Sequence, residues 1–131
     1  CSVRRQRQMC IRDRMGTLKG LNASGLFPKT VALEPSQSPL LTTGRGGPHR
    51  VEGIGVGFYP PFLDDQKVDE ILAIDQDEAF EMRNILAVRH GIFCGTSTGL
   101  NVVGAIKLAK KMSPHENVVT LGCDSGLKYL N

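Results

Sequence analysis

The sequence predicts an α/β domain built on a parallel sheet, and three observations carry that expectation. Short apolar runs of strand length recur at Lys29–Glu34 (KTVALE), Asp69–Ile74 (DEILAI) and Asn117–Gly122 (NVVTLG). Helix-like stretches separate the second run from the third. Strands that alternate with helices favour a parallel sheet, because parallel neighbours need a long crossover and helices supply it.

Taken in order, Met15–Gly25 (MGTLKGLNASG) reads as a helix end stopped near Gly25, and the KTVALE strand is stopped by Pro35. Ser36–Gln66 is a long irregular segment rich in glycine and proline. A loop of that length in a compact domain is usually functional or disordered. Within it, Gly53-Ile54-Gly55-Val56-Gly57-Phe58 is expected to form a wall of a site, since glycine lets backbone approach a ligand; plain turns are the alternative. After the second strand, Asp75-Gln76-Asp77-Glu78 has the spacing of a capping box. The helix it opens places Ala79, Met82 and Leu86 on one face and closes at Gly91 after Arg89 and His90, where cations suit a C-terminus. The next helix is expected to bury Val102, Ala105, Ile106, Ala109 and Met112 and to turn Lys107, Lys110 and Lys111 outward. Cys123-Asp124-Ser125-Gly126 then turns off the third strand, at the carboxyl end where open α/β sheets hold ligands.

Composition excludes more than it suggests. The chain has 16 Lys+Arg against 13 Asp+Glu, but its first 14 residues hold five of those arginines and one aspartate. That leaves 11 basic against 12 acidic residues, a net charge of −1, from Met15 onward. With no Trp and few other aromatics, the chain lacks the basic groove and stacking platform that nucleic acid requires. No run reaches the length of a membrane span, so the expectation is a cytoplasmic protein. The leader, CSVRRQRQMCIRDR, lacks the apolar core of a secretory signal. It resembles the translated read-through of a sequencing adapter, and Cys1–Arg14 are expected to be non-native. Of the four cysteines, Cys94 and Cys123 then remain, with no metal-ligand spacing and no disulfide framework, and read as packing residues.

The stretch richest in chemistry is Gly91–Leu100 (GIFCGTSTGL), which runs straight into a helical pattern. Thr96, Ser97 and Thr98 stand between Gly95 and Gly99 at a helix start, where backbone N–H groups are unpaired and the helix dipole is positive. Such hydroxyls either cap the helix or hold a polar ligand.

VALEPSQSPLLTTGRGGPHRVEGIGVGFYPPFLD, the VDEI strand, GIFCGTSTGLNVVGAIKLA and VVTLGCDSGLKYL together resemble, in that order, the C-terminal half of the cysteine synthase (O-acetylserine sulfhydrylase) and cystathionine β-synthase group. These are pyridoxal-phosphate enzymes of the tryptophan-synthase-β-like fold (fold type II). The resemblance implies that residues 15–131 are the C-terminal part of a synthase large domain, a partial parallel-sheet domain. It implies pyridoxal 5'-phosphate as cofactor, a small amino-acid substrate and a homodimeric parent. The implied reaction is synthesis of L-cysteine from O-acetylserine and sulfide by β-elimination and β-replacement, with cystathionine synthesis from serine and homocysteine as the alternative.

Residue by residue, the middle serine of the family's GxSxG segment, which hydrogen-bonds the cofactor's pyridine nitrogen, is Ser97. Thr96 and Asp124 match positions near the ring, and Gly53, Ile54 and Gly55 match the loop lining the substrate cleft. A neutral hydroxyl does not keep the ring nitrogen protonated, which makes the ring a weaker electron sink and suits elimination over transamination. The family's Schiff-base lysine, its substrate-carboxylate loop and its phosphate loop match nothing here, and Met15-Gly16 resembles the start of the helix after the phosphate loop. The chain is therefore expected to be a fragment that is inactive alone. The same pentapeptide also fits the nucleophile elbow of an α/β serine hydrolase using Ser97, but that fold needs a histidine after the acid, and the last histidine, His115, precedes Asp124. A binding protein that has kept the fold is a third reading.

Overall fold

The computed structural model describes residues 15–52, 54 and 68–130. The leader Cys1–Arg14, and Gly53 and Gly55–Phe58 of the expected cleft wall, lie outside the described residues. In chain order the elements are helix α1 (residues 15–23), strand β1 (Val31–Pro35), the single turn α2 (Leu40–Thr43), strand β2 (Glu70–Ile74), helices α3 (Gln76–His90) and α4 (Thr96–Ala109), and a 3-10 turn at Gly126–Tyr129.

β1 and β2 pair in parallel, in register from Val31 opposite Glu70 to Pro35 opposite Ile74. Pro35 does not stop the pairing, because the next residue continues it: Ser36 N–H donates to the Ile74 carbonyl at 2.8 Å. The sheet face that carries Leu33, Leu72 and Ile74 packs against the helices around Val51, Ala79, Leu100 and Val103. Side chains alternate across a strand, so one face supplies the core contacts.

The long segment after β1 holds an element the sequence did not announce. Glu34 is buried, and its carboxylate accepts the N–H groups of Leu41 at 2.7 Å and Thr42 at 3.2 Å as well as the Thr42 hydroxyl. It thereby satisfies the free donors at the start of α2, which has no side-chain cap of its own. At the carboxyl ends of the two strands, the Gln37 amide donates to Asp75 Oδ2 at 2.6 Å and accepts from Gln76 N–H at 3.2 Å. Asp75 caps α3 by accepting from the N–H groups of Asp77 and Glu78. Only this half of the expected capping box forms, for Glu78 turns to Lys107 on α4 at 2.7 Å. α3 ends as expected at Gly91, in the left-handed region at φ 68°.

Two expectations are corrected. Asn117–Gly122 forms no strand among the described residues. A strand needs a neighbouring backbone to pair with, and among the described residues β1 and β2 pair only with each other. Val119 is left exposed as a result. The second correction concerns the face of α4: it buries Leu100, Val103 and Gly104, whereas Val102 and Ala105 are half-buried and Ile106 and Ala109 exposed. The helix is apolar on several sides, so periodicity alone leaves the buried face open. Glycine decides it. A Cβ at Gly99 would overlap the Ala79 carbonyl oxygen, and one at Gly104 would meet Leu33 Cδ1 at 2.5 Å. Those two bare positions let α4 press against α3 and β1.

Candidate functional site at the start of α4

The first turn of α4 is where the described residues crowd most polar groups into a buried place. Gly95 is the N-cap residue, and no side chain caps this helix end. Thr96, Ser97 and Thr98 are all buried, between 4% and 5% exposed, so none of the three is a solvent-facing cap.

Two of these hydroxyls hold the fold together. Arg83 on α3 donates from Nη1 to Thr96 Oγ1 at 3.2 Å, and Thr98 Oγ1 accepts the N–H of Cys123 at 3.1 Å. Ser97 differs: its hydroxyl bonds no other described residue. The residue is buried as a whole, but its Oγ is not enclosed, so the hydroxyl keeps an open side from which it can bond a ligand.

The end of the segment expected to be a third strand, and mainly the residues after it, close this turn from the side. Asn101 Nδ2 donates to the Leu121 carbonyl at 3.0 Å, Gly95 N–H to the Asp124 carbonyl at 3.2 Å, and Gly126 N–H to the Phe93 carbonyl at 3.1 Å. Cys94 and Ser125 form an isolated antiparallel bridge at the same place. Asp124 Oδ2 accepts the Tyr129 hydroxyl, while Oδ1 is buried with no hydrogen-bond partner among the described residues. That oxygen occupies the space a Cβ at Gly95 would need, and the Tyr129 ring stands 2.7 Å from the same point. Only glycine fits there. Burial, then the Asp124 carboxylate, push the Cys94 thiol up from its ordinary range, with Arg83 opposing them. Cys94 is the buried packing residue expected of it, and Cys123 is half-buried.

Of the residues singled out in the sequence, Thr96, Ser97 and Asp124 therefore meet at one helix end. Ile54 is half-buried against the core cluster, while Gly53 and Gly55 lie outside the described residues. Sequence reasoning missed Arg83 and Tyr129. No local pattern links Arg83 to Thr96, and Tyr129 followed the motif by too few residues to signal a turn back. Among the described residues no group of three or more His, Cys, Asp or Glu side chains could hold a metal ion, and no helix is long and apolar enough to cross a membrane.

The sequence pattern of pyridoxal-phosphate dependent enzymes matches residues 14–124. The chain belongs to that family. Within it, the chain is similar to a probable cysteine synthase of Bacillus subtilis, 37% identical over 120 residues, which cover 88% of this chain and 39% of that protein. Among solved structures, it resembles O-acetylserine sulfhydrylase isoform 3 of Entamoeba histolytica with a TM-score of 0.83 and 32% identity, covering 88% of this chain and 35% of that one. It also resembles an O-acetylserine-dependent cystathionine β-synthase of Helicobacter pylori, with a TM-score of 0.78 and 33% identity over 88% of this chain and 38% of that one. The chain thus spans about two-fifths of the length of the curated relatives it matches. Membership of this family overturns the hydrolase alternative. Ser97 is the second residue of α4 and follows a single bridge residue, Cys94, where an elbow requires a central strand.

Proposed function

We propose that the protein carrying this chain is a pyridoxal-phosphate-dependent cysteine synthase, which makes L-cysteine from O-acetylserine and sulfide, and that Ser97 receives the pyridine nitrogen of the cofactor. The observation that carries this reading is the hydroxyl trio, in which Thr96 and Thr98 are each engaged while Ser97, 4% exposed, has no partner among the described residues. The donor set fits a heteroaromatic ring edge: one neutral hydroxyl at the positive end of a helix, with backbone N–H groups around it. When bound, pyridoxal phosphate supplies an electron sink for charge left at the substrate α-carbon.

The residues of this chain set the strength of that sink. Ser97 donates a hydrogen bond without providing a negative charge, and the α4 dipole disfavours a proton on the ring nitrogen. Both effects favour departure of a β-substituent followed by addition of a sulfur nucleophile. Asp124, fastened by Tyr129 and by its own carbonyl to Gly95, stands beside this turn, and we assign it to the edge of the cofactor site. The loop around Gly53, Ile54 and Gly55 is proposed to line the substrate cleft, with Ile54 rooted in the core. A cytoplasmic homodimer acting on a small amino acid completes the proposal. Cystathionine synthesis from serine and homocysteine is the second reading; the likeness to the Helicobacter pylori protein, an O-acetylserine-dependent cystathionine β-synthase, favours its cystathionine product but not serine as the substrate.

Two measurements on the complete natural protein test this. Assays with O-acetylserine plus sulfide against serine plus homocysteine separate the two sulfur nucleophiles, and the first pair is expected to turn over faster. Ser97→Ala is expected to weaken cofactor retention by on the order of 1 kcal/mol, about a fivefold rise in Kd, and to cut turnover. Ser97→Asp is expected to protonate the ring and increase side reactions. Unchanged cofactor affinity in Ser97→Ala would remove Ser97 from the site.

A further inference from the structure

The strongest unexplained group outside the hydroxyl trio is the Arg83 guanidinium. Arg83 is half-buried and reaches from α3 to the start of α4, which is the positive end of that helix. Among the described residues it forms no ion pair: the four that are seen join Lys29 and Lys111 to Glu70, Arg50 to Asp77, and Lys107 to Glu78. A cation without a carboxylate at a positive helix end breaks the usual electrostatic rule, and such local violations collect at functional sites. What holds Arg83 there is specific. Its guanidinium lies 5.2 Å from the Phe80 ring centroid, and Nη1 donates to Thr96 Oγ1 at 3.2 Å.

The same ring serves a second arginine. Arg50 also lies 5.2 Å from the Phe80 centroid, pairs with Asp77 at 2.9 Å, and donates its backbone N–H to Gln76 Oε1 at 3.0 Å. Arg50 directly precedes Val51, a fully buried core residue, and stands four residues before Ile54. Phe80 is therefore shared between Arg50, beside the core residue Val51, and the turn that carries Ser97.

We propose that Arg83 is a positioning residue: braced on Phe80, it fixes Thr96 and through it the orientation of the first turn of α4, so that the adjacent Ser97 hydroxyl keeps one direction. The proposal rests on the reading of Ser97 given above. Arg83 touches neither cofactor nor substrate in this scheme and acts only through Thr96. A rigid neighbour matters because a hydroxyl rotates freely, and a hydrogen bond to a ring edge is lost when its backbone turns by a small angle.

The test uses the complete natural protein with Arg83→Gln, Arg83→Lys, Thr96→Val, the double variant Arg83→Gln/Thr96→Val, and Ser97→Ala. Amide hydrogen exchange of residues 95–99 is read without cofactor, and cofactor Kd and absorbance are read with it. Arg83→Gln and Thr96→Val are each expected to speed exchange across residues 95–99 and to raise the cofactor Kd about fivefold, and the double variant is expected to be no worse than either single one. Arg83→Lys, which keeps a charged donor, should recover part of the loss. If the effects of the two singles add in the double variant, or if exchange rises evenly along α3 and α4 while the cofactor spectrum stays the same, Arg83 is only a strut and the proposal fails. If Arg83→Lys fails to fold, the pair Thr96→Val and Arg83→Gln still decides the coupling. Should Ser97→Ala leave affinity and spectrum unchanged while the exchange coupling holds, the Ser97 reading fails and the anchoring of Thr96 by Arg83 stands.

Discussion

Asp75 joins three tasks in one side chain: it ends β2, caps α3 and receives the Gln37 amide from the end of β1. The Asp77 N–H first, and then the Gln37 amide, hold its carboxyl below the usual aspartate range. A carboxyl whose folded pKa lies below its unfolded one stabilises the fold above the unfolded value, near pH 4, and that contribution disappears as pH falls through the folded value. Asp75→Ala should therefore lower Tm at pH 7, and the gap between variant and parent should narrow as the pH drops below about 4. Thermal melts of both proteins at a series of pH values check this; a gap that is constant with pH would mean that the charge of Asp75 plays no part. The capping role was legible from the Asp-Gln-Asp-Glu spacing. The bond from Gln37 was not, since it joins residues 38 apart in the chain.

At the scale of the element, α4 shows what two glycines do inside one helix. Both lack a Cβ where another element comes close, but what they meet differs. At Gly99 the obstacle is the Ala79 carbonyl, a backbone atom of α3 that can move only if the helix does. At Gly104 it is the end of the Leu33 side chain, which can change rotamer. Alanine is also the better helix former by up to about 1 kcal/mol, which offsets part of any clash. Gly99→Ala is therefore expected to destabilise by about 1 to 3 kcal/mol and Gly104→Ala by much less. Denaturant unfolding of the two variants side by side measures the difference, and equal losses would contradict the contact of α3 with α4 at Gly99. The sequence marked where α4 begins and that it is a helix. Its buried face was misassigned, because an almost continuously apolar helix offers several stripes and only the partner element selects one.

For the molecule as a whole, the described residues bury one small core and leave much apolar surface uncovered. Phe27, Val88, Val119, Leu127 and Leu130 are each more than 60% exposed. Among the described residues the sheet has two strands, and a parallel sheet is normally covered on both faces. Uncovered apolar surface of this kind drives association. The 131-residue chain on its own is thus expected to self-associate as its concentration rises, and Val119→Lys together with Leu127→Lys should reduce that association several-fold. Sedimentation velocity across a concentration series reads the outcome; a chain that stays monomeric throughout would show that these side chains are covered in solution.

By itself, the sequence determined how the chain is punctuated and where its hydroxyl side chains gather. Helix ends at Gly25 and Gly91, the strands at KTVALE and ILAI, and the Thr96-Ser97-Thr98 turn all follow from local rules about caps, periodicity and hydrophobic pattern. Ordered motifs also revealed the family, because several matches in one order are far less frequent by chance than any one of them. The tertiary structure alone decided which of the three hydroxyls is spoken for. Arg83 and the Cys123 N–H reach Thr96 and Thr98 from 13 and 25 residues away and leave Ser97 without a partner among the described residues. It also decided that Asn117–Gly122 does not pair as a strand but runs into the closure of the site. Apolar pattern states that a segment is able to pair, whereas pairing itself requires a neighbouring backbone, which is a property of three-dimensional arrangement.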